Sequence, residues 1–453
     1  MTLPRHAIFR SLLHLCAMLA LLLVAASPGR AAVFNPKSFT LENGLQVIVV
    51  ENHRIPVVTH MVWYRTGSAD EQRGTSGIAH FLEHLMFRGT GDLAPGEFSR
   101  IVNRNGGQDN AFTSWDYTAY FQTVAADRLE LMMKLEADRM ANLALTDAVV
   151  LPERDVILEE RRQRIDNNPS AILGEQMRAA QYLHHPYRIP IIGWESEMRT
   201  LSTQDALDWY KRWYVPNNAF VVIAGDVTVE QVRPLAEKYY GPIPRREIAP
   251  RDRVNEPPQQ AARRLELSDA RVQQPSFSRQ YLAPSYVWGD SEHADALDVL
   301  AEILSGGPTS RLYRRLVIGD GIAASAGAYY SADALGPGNL GFYGSPKPGV
   351  EVERVEAAID AEIAALLESG VTDQEIADAK QRLRADAVFA RDSIRGPANV
   401  IGRALATGQT LEDVEAWPAR IAAVTRQQVE AAARAVLKPE QSVTGILRPK
   451  PAS

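Results

Sequence analysis

Gly77-Ile78-Ala79-His80-Phe81-Leu82-Glu83-His84-Leu85-Met86-Phe87 reads as an apolar helix interrupted by three polar residues. Residues three and four apart share a helical face, so His80, Glu83 and His84, an H-x-x-E-H pattern, point the same way. Two imidazoles at i and i+4 can grip one zinc ion, and a carboxylate between them can act on a water held there. A purely structural helix would not choose polar groups within the stripe Phe81, Leu82, Leu85, Met86 and Phe87, because burying them unpaired is costly. With 9 His in 453 residues, an accidental match has odds on the order of one in a hundred. The segment predicts a helix capped at Thr75 or Ser76 that carries two metal ligands and a base.

Outward from this helix the patterns alternate between strand and helix. Ser38 to Val50 predicts two strands around a hairpin turn at Asn43-Gly44, and Pro56 to Tyr64 a further strand. Asn110 to Val124, rich in aromatic and β-branched residues, suits a strand pair. Helical patterns follow at Asp127 to Asn142, Asp147 to about Asn167, Ser170 to about His184 and Thr203 to Tyr214. Pro216-Asn217-Asn218 then turns the chain into a strand from Ala219 to Ala224, closed by Gly225-Asp226.

Beyond a stretch with Pro242, Pro244, Pro250, Pro257 and Pro258 among charges and Gln, which reads as a linker, the chain repeats itself. Ser202-Thr203-Gln204 through Tyr214-Val215-Pro216 resembles Thr425-Arg426-Gln427 through Leu437-Lys438-Pro439, an offset of 223. Leu145-Thr146-Asp147 resembles Val371-Thr372-Asp373, an offset of 226. Nearly equal offsets predict a duplicated α+β domain of about 210 residues. The expected layout is an N-terminal zinc domain at 32–245, a linker at 246–264 and a C-terminal homologous domain at 265–453. Each domain is expected to be a mainly antiparallel sheet packed with helices. In this alignment His80, Glu83 and His84 fall on Asp298, Ala301 and Glu302, so the second copy lacks the metal set.

Composition fits a multidomain globular protein, with 45% hydrophobic and 23% charged residues. At the start, Arg5 and Arg10 precede an apolar run from Leu12 to Ala26 and the small residues Ser27-Pro28-Gly29-Arg30-Ala31-Ala32. This is the pattern of a secretory signal peptide cleaved after Ala31, and at about 15 residues the run is short for a membrane anchor. An exported chain, periplasmic in a Gram-negative bacterium, is expected. Without residues 1–31 the 49 basic residues fall to 46 against 55 acidic, a net charge of −9, which argues against a nucleic-acid partner. Cys16 is the only cysteine, so the exported chain has no disulfide and any zinc must be held by His and carboxylate.

A hydrolytic zinc site takes three protein ligands and leaves room for water. Candidates for the third lie in Pro152-Glu153-Arg154-Asp155-Val156-Ile157-Leu158-Glu159-Glu160-Arg161-Arg162. Glu153 and Glu160 are seven apart and share a face, whereas Glu159 points elsewhere. One of the pair can bind metal while the other orients a His. By spacing alone the segment also reads as a charged surface helix.

The H-x-x-E-H segment, followed 76 residues after its last His by a Glu in an E-R-D-V-I-x-x-E run, resembles the pitrilysin (insulinase-like) family of zinc metallopeptidases. The similarity is to its short two-domain branch, which includes mitochondrial processing peptidase and bacterial periplasmic relatives. It extends through Asn110-Ala111-Phe112-Thr113, His185-Pro186-Tyr187, Asn217-Asn218-Ala219 with Gly225-Asp226, and Ser310-Arg311-Leu312-Tyr313. The resemblance implies one Zn2+ per chain on His80, His84 and Glu160, Glu83 as general base, and Glu153 as the carboxylate behind a ligand. It also implies that the strand at Asn110, Ala111, Phe112 and Thr113 pairs with an extended substrate. The fold would be half of a clamshell whose closed chamber admits unfolded peptides for endoproteolysis. The chain departs from the family at one place. Active members carry an Arg and, seven residues later, a Tyr in the second half, and here Val317 and Ala324 stand at those positions. The resemblance therefore implies a heterodimer with a paralogous subunit that supplies the Arg/Tyr pair. A homodimer drawing on Arg315 or Tyr329 is the alternative assembly, and a non-catalytic scaffold the alternative function.

Overall fold

Runs of buried β-branched and aromatic residues build two sheets. The computed structural model describes residues 33–450 except 249 and 252, and the segment read as a signal peptide lies outside the described residues. The first sheet contains β1 (Lys37–Thr40), β2 (Gln46–Glu51), β3 (Val57–Tyr64), β4 (Gln108–Thr113), β5 (Thr118–Ala125) and β6 (Ala219–Gly225), in the order β1-β2-β6-β3-β5-β4. The hairpin turn between β1 and β2 has Gly44 at φ 90, and β4 and β5 form the expected antiparallel pair with Asn110 opposite Phe121. The second sheet contains β7 (Arg263–Asp269), β8 (Ser276–Ala283), β9 (Ala323–Ser331), β10 (Gly338–Pro346) and β11 (Ser442–Pro449), in the order β7-β11-β8-β10-β9.

Apart from the extra β1, both sheets are wired alike. The first strand of each repeat pairs parallel with the last, β2 with β6 and β7 with β11, and the remaining neighbours run antiparallel. The helices repeat too. The first half contributes α1 (Ile78–Leu85), α2 (Asp147–Arg161), α3 (Pro169–Gln181) and α4 (Thr203–Trp213). The second contributes their counterparts α5 (Ala294–Ser305), α6 (Asp373–Asp392), α7 (Gly396–Ala406) and α8 (Arg426–Val436). The local signals that revealed the repeat are its helix starts: Ser202 with Asp205 and Thr425 with Gln428 close α4 and α8 with capping boxes. The fold is thus mixed α/β with two homologous halves.

The halves interlock by exchanging one helix each. α3, from the first half, packs on β7, β8 and β11, and α7, from the second, packs on β3 and β6. Both contacts depend on glycine. A Cβ at Gly445 would lie 2.1 Å from Met177 Sδ, and one at Gly402 would lie 2.0 Å from Trp63 Cε2. The proline-rich segment is also pinned. Arg251 and Arg253 pair with buried Asp70 at 2.8 and 2.6 Å, and Arg253 reaches Asp116 at 3.0 Å. Asp116 in turn accepts from the Leu335 amide at 3.1 Å and from the Tyr187 hydroxyl, joining linker, first half and second half.

In α5 the positions equivalent to the H-x-x-E-H residues are spent on structure. Glu302 pairs with Arg382. Asp298 accepts from the Tyr286 hydroxyl at 2.5 Å, and that hydroxyl accepts from Trp417 Nε1 at 2.8 Å. Burial raises the Asp298 carboxyl to about 7, the nearby charges of Asp295 and Asp333 adding to it against the Tyr286 hydrogen bond. Below about pH 4 the folded and unfolded chains both hold this proton, so there is no penalty. Between pH 4 and 7 only the unfolded chain releases it, and stability falls as pH rises. Asp298→Asn is therefore expected to raise the denaturation midpoint at pH 8, by up to a few kcal/mol in stability, with the gain vanishing towards pH 4. Denaturant titrations of both proteins at the two pH values check this, and a pH-independent difference would refute it.

Candidate metal centre

The apolar stripe of α1 anchors the site. Phe81, Leu82 and Leu85 are fully buried in the first-half core, which fixes the rotation of the helix and turns His80, Glu83 and His84 to one side. The helix begins one residue later than expected. Gly77 is its cap at φ 90, with no side-chain capping bond. The exposed backbone amides are met instead by Glu71, whose carboxylate accepts from Gly77 N and Ala79 N, each at 3.0 Å. The amide of Ser76 donates to Glu197 at 2.7 Å. Neither carboxylate carries a local signature, since both arrive through tertiary structure.

α2 runs beside α1 and supplies the carboxylates. It ends at Arg161 and passes into a wider π-helical turn, Arg162–Asp166, where the sequence suggested one continuous helix. Glu160 Oε2 lies 3.4 Å from His84 Nε2 and 3.8 Å from His80 Nε2. The three ligand atoms fall within 4.8 Å of one another, the one such group of three or more His, Cys, Asp or Glu among the described residues. Arg164 occupies the other oxygen, Oε1, at 2.8 Å. Glu160 Oε2 is left buried with no hydrogen-bond partner, and a cation held between it and the two Nε2 atoms would satisfy it. The residues present thus fit a divalent metal of zinc's nitrogen-and-oxygen preference.

Glu153, on the same face of α2, reaches behind the ligands. Its Oε1 contacts His84 Nδ1 at 2.9 Å, and Arg88 binds its other oxygen. That contact orients Nε2 of His84 towards Glu160. Glu159 is exposed on the opposite side and pairs with Arg162. The two imidazoles are tuned in opposite directions. Burial, reinforced by His84, lowers His80 to about 4. For His84 burial is outweighed by the Glu153 hydrogen bond and the nearby Glu160 carboxylate, which raise it to about 9. A metal held here would have to displace the His84 proton, so its binding would weaken as pH falls. The His84 contact holds Glu160 below the usual carboxylate range.

Glu83 does not join the trio. Its pKa is raised by burial, opposed by the Thr113 hydroxyl, which donates to its Oε2 at 2.6 Å. Asn110, Ala111, Phe112 and Thr113 lie on β4, an edge strand of the first sheet with one side unpaired. Thr113 therefore holds the Glu83 carboxylate as well as belonging to the strand, a contact that sequence reading did not assign. These residues, the metal set and Gln280 of β8 line one cavity of about 710 Å³.

Val317 is partly buried against the second-half core, and Ala324 is exposed at the start of β9. Arg315 is committed to Glu362 at 2.8 Å, and the Tyr329 hydroxyl accepts from Gln280 at 3.1 Å. Among the described residues no helix is long and apolar enough to cross a membrane.

Two family models match the chain. Residues 46–194 match the family model described as insulinase, peptidase family M16, and residues 200–383 match the model described as the peptidase M16 inactive domain. The zinc protease PqqE of Helicobacter pylori is 32% identical over 387 residues, covering 84% of this chain and 86% of that protein. An uncharacterized zinc protease of Mycobacterium bovis is 31% identical over 416 residues, covering 90% and 92%. Among solved structures, a protease from Helicobacter pylori superposes with a TM-score of 0.85 at 30% identity, covering 92% of this chain and 100% of that one. A putative M16-like peptidase from Alicyclobacillus acidocaldarius shares the fold with a TM-score of 0.81 at 22% identity, covering 92% and 99%.

Proposed function

The chain belongs to peptidase family M16, and from that premise we propose that it is a zinc-dependent endopeptidase acting on unfolded peptides, the metal-bearing subunit of a heterodimer. The observation that carries this reading is the unpartnered Oε2 of Glu160 facing the Nε2 atoms of His80 and His84, with a separate buried carboxylate, Glu83, beside them. A scaffold subunit has no need of this arrangement. Residues 200–383, which match a domain described as inactive, include Asp298 and Glu302 at the positions where ligands would stand in the repeat.

Zinc, when bound, supplies Lewis acidity that polarises the scissile carbonyl and brings the pKa of a coordinated water from about 16 towards 7. The chain's own residues do the rest. His80, His84 and Glu160 hold the ion, and Glu153 keeps His84 in the orientation that presents Nε2. The free edge of β4 offers backbone groups to an extended peptide, which favours unfolded substrates. Glu83, steadied by Thr113, accepts a proton from the attacking water and returns it to the leaving amine. Its burial moves its pKa towards the range where both transfers proceed near neutral pH.

Val317 and Ala324 cannot donate a side-chain hydrogen bond to a developing oxyanion, which is why the active assembly is read as a pair of unlike chains. Export to the periplasm remains part of the proposal. The reading is tested by zinc-dependent cleavage of an unstructured peptide, and cleavage that survives metal removal would sink it.

A further inference from the structure

The charges that line the cavity are nearly all matched. Arg164 is bound to Glu160 at 2.8 Å, and Glu175 is held by Arg161 at 2.8 and 3.0 Å. Arg178 is the exception. It projects from α3 into the same cavity as His80, Glu83 and His84. Among the described residues its guanidinium has neither an ion pair nor a hydrogen bond. Its one close partner is the Trp115 ring, with the guanidinium carbon 4.2 Å from the centroid. Burial lowers its pKa, and only Tyr182 and Tyr329 oppose the shift, with no carboxylate contributing.

Arg178 is partly buried, and an arginine drawn even partly out of water without a counter-charge carries a desolvation cost. Stacking on an aromatic face recovers part of that cost, yet it engages the face of the guanidinium and leaves the N–H fork at its edge free. That fork matches a carboxylate in bidentate geometry. The indole is itself fixed, since Trp115 Nε1 donates to Ile189 O at 3.1 Å. Trp115 lies two residues after Thr113, the strand residue bonded to Glu83, so the ring that carries the stack sits next to the end of β4 that meets Glu83.

Resting on the peptidase reading above, we infer that Arg178 is a specificity-determining residue that recognises a substrate carboxylate, placed by its stack on Trp115. The carboxylate belongs either to a Glu or Asp side chain near the cleaved bond or to the peptide C-terminus. The acidic net charge of the whole chain points towards basic substrates, and the cavity contradicts it locally.

The test compares unstructured peptides scanned with Glu against Gln around the cleaved bond, all with amidated C-termini, and an all-Gln peptide with a free or an amidated C-terminus. Binding is read by fluorescence anisotropy on the full-length Glu83→Gln protein, and cleavage ratios are read on the assembled protein, this chain with Glu83 intact together with a paralogous subunit that carries the Arg/Tyr pair. The expected result is a preference of about 10-fold to 100-fold for the carboxylate form, the worth of a charge-assisted hydrogen bond. Arg178→Gln should collapse that ratio, and Arg178→Lys, which keeps the charge and loses the fork, should retain part of it. A preference at one internal position identifies the side chain, and a preference confined to the free acid identifies the terminus. Equal binding of all forms, or a preference that survives Arg178→Gln, overturns the assignment. Cleavage without preference overturns it and leaves the peptidase reading standing. Preference in binding without any cleavage does the reverse.

Discussion

Replacing Glu83 with Gln is expected to lower peptide cleavage by about 10²- to 10⁴-fold, the range that positioned proton transfer contributes, while the metal content stays unchanged. The amide keeps the size of the side chain and can still accept from Thr113, whose hydroxyl sits 2.6 Å from Oε2, so the helix and the ligand set are undisturbed. It cannot accept the water's proton or pass one on. His80, His84 and Glu160 remain to bind metal because Glu83 is not among the converging atoms. Steady-state kinetics on a quenched fluorescent peptide, with zinc measured on the same samples, reads both quantities. Cleavage left untouched by the substitution would remove Glu83 from the mechanism.

The second large effect concerns what the chain lacks. Mixing the purified chain with a paralogous subunit that carries the Arg/Tyr pair should raise kcat by about 10²- to 10³-fold, the range associated with one oxyanion donor. Within this chain the substitutes are poorly available. Arg315 is engaged by Glu362. Tyr329 already receives hydrogen bonds from Gln280 and, at 3.4 Å, from Asn339. Kinetics of the chain alone, of the mixture, and of a mixture whose partner has lost the Arg and Tyr separate the possibilities. Full activity of the chain alone would refute the heterodimer and favour a homodimer.

Much of this site was legible in the sequence because it rests on helical periodicity. His80, Glu83 and His84 share a face as a consequence of spacing, and so do Glu153 and Glu160, with Glu159 turned away. The duplication was legible through helix starts, since Ser202 and Thr425 begin equivalent helices with the same capping chemistry. What escaped depends on contacts between distant segments. Periodicity shows that α3 and α7 each have an apolar side, yet not that each covers the sheet of the other half. The cap of α1 was misplaced because Glu71 and Glu197 reach its amides through the fold rather than from the capping position. Arg178 reads in sequence as one more solvated arginine, and only the arrangement around Trp115 shows that it has no counter-charge.

The most direct measurement is peptide cleavage by the assembled protein on a single sample as its metal is removed by a chelator and zinc is then returned, with bound zinc quantified at each stage. The account predicts one zinc per chain, loss of cleavage on chelation and recovery with one equivalent of zinc. Cleavage that persists in metal-free protein, or a chain that takes up no zinc, would contradict it.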